Sequence, residues 1–176
     1  MASERISRLK DEILRWGASL ASFGDMEGLL PKRWSSLNTG ISIAIRLSEA
    51  IINEIKSKPT PLYADHYHIM NRSLDQIALR TASLLQSWGY KALPIPSSPF
   101  VYVGNLGGYL SHKMVATRAG LGWIGKNNLL ITPQYGPRIR LVSILTDAPL
   151  HTSSPCNESN CGKCQACIVA CPNHAL

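Results

Sequence analysis

Four cysteines near the C-terminal end of the chain are spaced for metal chemistry. Cys161, Cys164, Cys167 and Cys171 follow the pattern C-x2-C-x2-C-x3-C, and Pro172 comes directly after. This is the bacterial ferredoxin run, which holds a cubane iron–sulfur cluster. Two residues between thiolates let one small loop reach three corners of a cube. Gly162 and Ala166 keep that loop compact, so its backbone N–H groups can turn toward the sulfides of an anionic cluster. Four thiolates also suit zinc, but zinc ribbons divide their ligands between two separated knuckles. Three cysteines at successive x2 spacings fit a cube better than a tetrahedron. The expected group is a [4Fe–4S] cluster.

The identity of the fourth ligand is open. In two-cluster ferredoxins the last cysteine of the run binds the other cluster. A second run is therefore expected, and the sequence ends at Leu176. Cys171 folds back onto a single cluster, or Cys156 takes its place, or a shortened chain leaves Cys171 idle and one iron open. Cys171 is taken as the ligand, with Cys156 as the alternative.

The second informative stretch is Ala119-Gly-Leu-Gly-Trp-Ile-Gly-Lys-Asn-Asn-Leu-Leu-Ile131. Its glycines let the backbone approach a ligand or another segment closely. Lys126 adds a cation, and Asn127 and Asn128 add amide groups. Gly120, Gly122 and Gly125 match G-x-G-x-x-G, but they follow a predicted helix where a dinucleotide loop follows a strand. A tight turn packed under the cysteine module is the alternative.

Among groups suited to moving a proton, His112 is the leading candidate, because an ordinary imidazole titrates near neutrality. His66, His68 and Tyr109 are further candidates. His66 and His68 read as lining a loop. His151 and His174 flank the cysteines, and Asp147 reads as a residue that positions backbone.

The elements that must place these residues follow from periodicity. Ile6, Leu9, Ile13, Leu14, Gly17 and Leu20 predict an amphipathic helix from Ser3 to Ser22, ended by Gly24-Asp25. Residues 24–40 read as a loop. Ile41, Ile43, Ile45 and Leu47 alternate with small or polar residues and predict a half-buried strand. A helix is expected from Leu74 to Trp88, with a Ser73/Gln76 capping box and a stop at Gly89. Tyr90–Leu93, Leu129–Ile131 and Arg138–Leu145 read as strands, and Tyr109–Arg118 as a short helix. The expected class is α/β: a mixed sheet with flanking helices over residues 1–150, then a ferredoxin-like module over 151–176, shortened at its end.

Composition agrees with a folded core. Of 176 residues, 45% are hydrophobic and 16% charged, with a formal net charge of +7. The basic residues come in small groups, such as Lys32 with Arg33, and not as the stripe that a nucleic-acid footprint shows. No run of eighteen apolar residues is present, so no membrane span is expected. All five cysteines lie between Cys156 and Cys171. A disulfide framework would spread them through the fold. A soluble cytoplasmic protein is the expectation.

The segment from Met114 to Leu150, with the cysteine run after it, resembles the epoxyqueuosine reductase family and its relatives, the reductive dehalogenases. The matching residues are Ala119 through Asn127, Leu145-Thr-Asp-Ala-Pro-Leu150, and the ferredoxin run. Tyr63-x-x-His66-Tyr67, Asn71-x-x-Leu74-Asp75 and the Gly89 to Pro96 stretch resemble the family's shorter members. The resemblance implies a cobalamin held in the α/β domain beside the cluster, with single electrons passing from cluster to cobalt. It makes Trp123, Gly125, Lys126 and Asn127 candidate cofactor neighbours. It also implies a redox partner protein and a small molecule or modified nucleoside, carried in tRNA, as substrate. The family's acidic proton donor corresponds here to Leu106, and the neighbouring acidic position to His112. No Asp or Glu lies between Asp75 and Asp147. The leading expectation is an iron–sulfur oxidoreductase; the alternative is a non-catalytic electron-transfer or corrinoid-handling protein.

Overall fold

The computed structural model describes residues 2–98, 108–171, 173 and 175, with side chains of the first helix from Arg8 onward. Leu106 and His174 lie outside the described residues. The elements in chain order are α1 (Ala2–Arg15), β1 (Leu20–Asp25), β2 (Thr39–Arg46), α2 (Glu49–Asn53), α3 (Pro61–Ser87), β3 (Ala92–Ile95), α4 (His112–Arg118), β4 (Trp123–Ile124), β5 (Leu130–Ile131), β6 (Ile139–Thr146) and α5 (Ala166–Val169).

Four strands form one sheet in the order β1-β2-β6-β3. Every pairing in it is antiparallel, so the expected mixed sheet is corrected to an antiparallel one. The combination of helices with a sheet stands. On one face, Ile41, Ile43 and Ile45 of β2 and Val142 and Ile144 of β6 pack with Leu9 and Ile13 of α1 and Leu74, Ile77 and Leu85 of α3.

The other face carries α4. There the sheet offers small residues, because the helix backbone comes very close. Gly24 and Gly40 are register partners. A Cβ on Gly24 would stand 2.6 Å from the Ala119 backbone nitrogen, and one on Gly40 would stand 2.9 Å from Val115 Cγ1. With helices on both faces, β2 is buried along its length except at Arg46. The predicted half-buried strand is therefore a fully buried one. Ser42 and Ala44 face α4, not water.

Two helix boundaries differ from expectation. α1 stops at Arg15 because Gly17 takes φ +104° and its N–H closes on Leu14 O at 3.0 Å, a left-handed C-terminal stop. Leu20–Asp25 is freed to become β1. At the other boundary, α3 begins thirteen residues before the predicted Leu74, with Pro61 in its first turn and Thr60 Oγ1 accepting from Tyr63 N at 3.1 Å. Ser73 caps nothing; its hydroxyl donates to Ile69 O. His66 and His68 thus sit on a helix and not in a loop.

Candidate metal centre

The glycine-rich stretch folds as a hairpin of β4 and β5. Gly122 runs so close to Ile131 that a Cβ would collide with its carbonyl oxygen. At the tip, Gly125 N donates to Leu129 O at 2.8 Å and Asn128 N to Gly125 O at 2.9 Å. Asn127 Oδ1 accepts from Leu129 N at 3.1 Å, and Asn128 takes φ +57°. Lys113 of α4 secures this tip from below, with Nζ 2.6 Å from Asn128 O. The stretch follows α4, as expected, and has no strand–loop–helix form.

The fixed tip presents Lys126 to the cysteine loop. Its Nζ donates to Gly162 O at 2.9 Å and to Cys164 O at 2.8 Å. The loop is a tight turn, with Cys164 N on Cys161 O at 2.9 Å and Gly162 at φ +49°. Cys167 rides on the one-turn helix α5. The tail is joined to the core upstream: Ser153 N donates to Phe23 O and Cys156 N to Thr117 O. The turn packed under the cysteine module is what the hairpin provides.

Among the described residues, no three His, Cys, Asp or Glu groups stand at metal-ligating geometry. The thiols are separate side chains along one loop, and the test of fit is the chemistry around them. Cys161 has its thiol pKa pulled below the ordinary value, first by the Ser159 hydroxyl, then by the Trp123 indole N–H and the Lys126 amide. A lowered pKa favours the thiolate that metals require. Trp123 Nε1 is buried and makes no regular hydrogen bond, while its N–H acts on the neighbouring Cys161 thiol. An orphaned buried donor beside a thiol is what an anionic cluster would satisfy. Ala175 N donates to Cys171 Sγ at 3.4 Å. The donor set and its surroundings fit a cluster. Trp123 and Lys126 face the cysteine loop, and Gly125 and Asn127 shape the hairpin tip.

His112 lies at the start of α4, one residue after the N-cap Ser111. Its Nε2 is 3.0 Å from Pro96 O and its Nδ1 is 2.9 Å from Ser143 Oγ. The carbonyl can only accept, so Nε2 carries the proton and Nδ1 accepts from serine. Burial, reinforced by the Arg140 charge, holds its pKa below 6.5; the Pro96 carbonyl and Asp75 oppose this. His66 Nε2 accepts from Ser48 N, and Tyr109 and His151 are exposed. Asp147 Oδ1 accepts from Lys91 N at 2.8 Å and so positions backbone, as its sequence context suggests.

Sequence reading missed a second polar group at the β3 edge. The Arg140 guanidinium stacks 4.2 Å over the Tyr67 ring and donates to Asn71 Oδ1 at 3.1 Å. Tyr67 Oη lies 3.1 Å from Ser98 Oγ. That bond, aided by Arg140, lowers the phenol pKa against the opposing effect of burial. No local pattern signals it, since Tyr67 of α3 and Arg140 of β6 meet only through the packing of those two elements.

No protein-family model matches the chain. An epoxyqueuosine reductase of Listeria monocytogenes is 46% identical over 69 residues, which are 39% of this chain and 18% of the relative. One from Pseudomonas aeruginosa is 31% identical over 112 residues, covering 64% of this chain and 28% of the relative. This chain thus spans less than a third of the curated relatives it matches. An epoxyqueuosine reductase crystallised with an epoxyqueuosine-modified tRNA stem loop superposes with a TM-score of 0.69 at 19% identity, covering 99% of this chain and 53% of that one. A catabolic reductive dehalogenase in complex with 3-bromo-4-hydroxybenzoic acid gives a TM-score of 0.77 at 18% identity, covering 97% and 25%. None of the helices among the described residues is long and apolar enough to cross a membrane. The chain is similar to epoxyqueuosine reductases in sequence, and it shares the fold of those enzymes and of reductive dehalogenases over the part of them that it spans.

Proposed function

We propose that the chain is the electron-carrying part of an epoxyqueuosine reductase-like oxidoreductase, with a [4Fe–4S] cluster on Cys161, Cys164, Cys167 and Cys171. The observation that carries this reading is the pair of hydrogen bonds that Lys126 Nζ donates to Gly162 O and Cys164 O. By engaging those carbonyls, Lys126 holds the loop closed and places a cation beside the thiolates. The Trp123 indole N–H favours the thiolate form of Cys161. The Ala175 N–H bond favours Cys171 as fourth ligand, while Cys156 is tied by its own N–H to α4. A cluster bound there supplies single electrons.

The electron acceptor is a bound redox centre, a corrinoid by likeness to the fold neighbours. The β3 edge, where His112, Tyr67 and Arg140 meet residues 96–98, is the place from which a reduction would draw its proton, His112 Nε2–H and the Tyr67 phenol being the protons available. A modified nucleoside is the substrate class that the relatives support, and a separate redox protein would recharge the cluster.

A second reading, a non-catalytic electron-transfer partner, is favoured by one observation: both ring nitrogens of His112 are engaged by the protein itself. Anaerobic reconstitution with iron, sulfide and cobalamin tests the corrinoid in both readings. A corrinoid spectrum that shifts on binding and on reduction supports it. No binding at large ligand excess removes it. Turnover of an epoxyqueuosine-containing stem loop then separates enzyme from partner.

A further inference from the structure

Three serines stand side by side across the sheet. The register pairs Ser22 of β1 with Ser42 of β2, and Ser42 with Ser143 of β6. Directly opposite residues share one face, here the face under α4. Ser42 and Ser143 are fully buried and Ser22 nearly so. Both ends of the row are hydrogen bonded. Ser22 Oγ lies 3.0 Å from Ser153 Oγ in the tail, where Ser153 is exposed. Ser143 Oγ lies 2.9 Å from His112 Nδ1. The middle hydroxyl, Ser42 Oγ, is buried without a partner.

Small size alone does not account for the row. On this same face β2 meets α4 with Gly40 and Ala44, and alanine at position 42 would pack equally well without an unpaired buried hydroxyl. We propose that Ser153, Ser22, Ser42 and Ser143 form a proton path that runs under α4 from solvent to His112. Opposed residues carry Cβ atoms about 4.5–5.5 Å apart, so rotation about χ1 brings Ser42 Oγ toward Ser22 on one side and Ser143 on the other. Each hydroxyl accepts a proton on a lone pair and passes its own O–H proton onward. His112 Nδ1 receives one from Ser143, and the ring then releases its Nε2 proton at the β3 edge. The ring, left protonated at Nδ1, returns to its first tautomer when Nε2 takes a proton from solvent at the β3 edge and Nδ1 gives its own back to Ser143. The charged groups that act on the ring there are Arg140, which disfavours the imidazolium, and Asp75, which favours it. The purpose of the path rests on the reductase reading, since reduction consumes protons. Its existence does not.

The test reads exchange of the His112 ring N–H with solvent by nitrogen-15 NMR on the full chain, without substrate. Ser42→Ala is expected to slow that exchange by about tenfold or more at unchanged His112 pKa, because one link in a positioned relay is removed. Ser42→Thr, which restores a hydroxyl, should return it to near the wild-type rate. Should Ser42→Ala fail to fold, Ser22→Ala breaks the path nearer its mouth and should slow exchange likewise. Wild-type exchange in a folded variant lacking either hydroxyl overturns the proposal. That result would leave the cluster reading untouched, and a chain without iron would leave the exchange result standing.

Discussion

Lys126 lays its ammonium 2.8 Å from the carbonyl oxygen of Cys164, and this contact joins the glycine-rich hairpin to the cysteine loop. Removing the charge should make an anionic cluster harder to reduce. At an exposed site one unit charge is worth roughly 1 kcal/mol, or about 40 mV for one electron. Lys126→Met is expected to lower the midpoint potential by that order and to speed cluster loss in air. An EPR-monitored redox titration checks it, and an unchanged potential would remove Lys126 from the account.

Gly24 and Gly40 set how near α4 sits to the sheet. Gly24→Ala places a methyl 2.6 Å from helix backbone that no side-chain rotation can relieve. Overpacking of this kind costs about 1–3 kcal/mol. Gly40→Ala should cost less, since it meets the flexible Met26 side chain as well as Val115. Thermal unfolding of the two variants should show that order.

The His112 ring gives the fold a pH dependence with a definite sign. Its pKa is lower in the folded chain than the unfolded value of 6.5. Between those two values the unfolded chain binds more protons, so stability rises with pH across that window. It is complete above 6.5 and declines as pH drops toward the folded pKa. Urea unfolding at pH 7.5 and pH 5 should show the loss, and His112→Gln should reduce it while costing stability at both.

The Tyr67 phenol should ionise below the ordinary 10.0, the Ser98 bond and the Arg140 charge outweighing burial. Ultraviolet titration of wild type against Tyr67→Phe isolates its signal. Arg140→Met should raise it, and Ser98→Ala should raise it further. No change in either variant would mean that the stacked pair does not act on the phenol.

Much of this was legible in the residues. The cysteine spacing, a tight turn in the glycine-rich stretch and the backbone role of Asp147 all follow from local pattern. What sequence misjudged was set by contacts made elsewhere. Ser42 and Ala44 look solvent-facing in an alternating strand, yet they are covered because α4 packs there, an event some seventy residues distant along the chain. The first residues of β1, Leu20 to Ser22, read as helix because Leu20 extends the apolar spacing of α1, while the stop lies in one residue, Gly17. Pro61 after Thr60 marked the true start of α3, but its polar first turns hid the helical pattern. Tyr67 and Arg140 are far apart in sequence and meet only because α3 crosses β6.

What the cysteine loop binds decides the function most directly. Chain prepared without oxygen should contain about four iron and about four acid-labile sulfide per molecule, with a broad brown absorption that bleaches on reduction. Iron content should fall sharply in Cys171→Ser and stay near wild type in Cys156→Ser. Stoichiometric zinc with no labile sulfide in the same preparation would contradict the central claim.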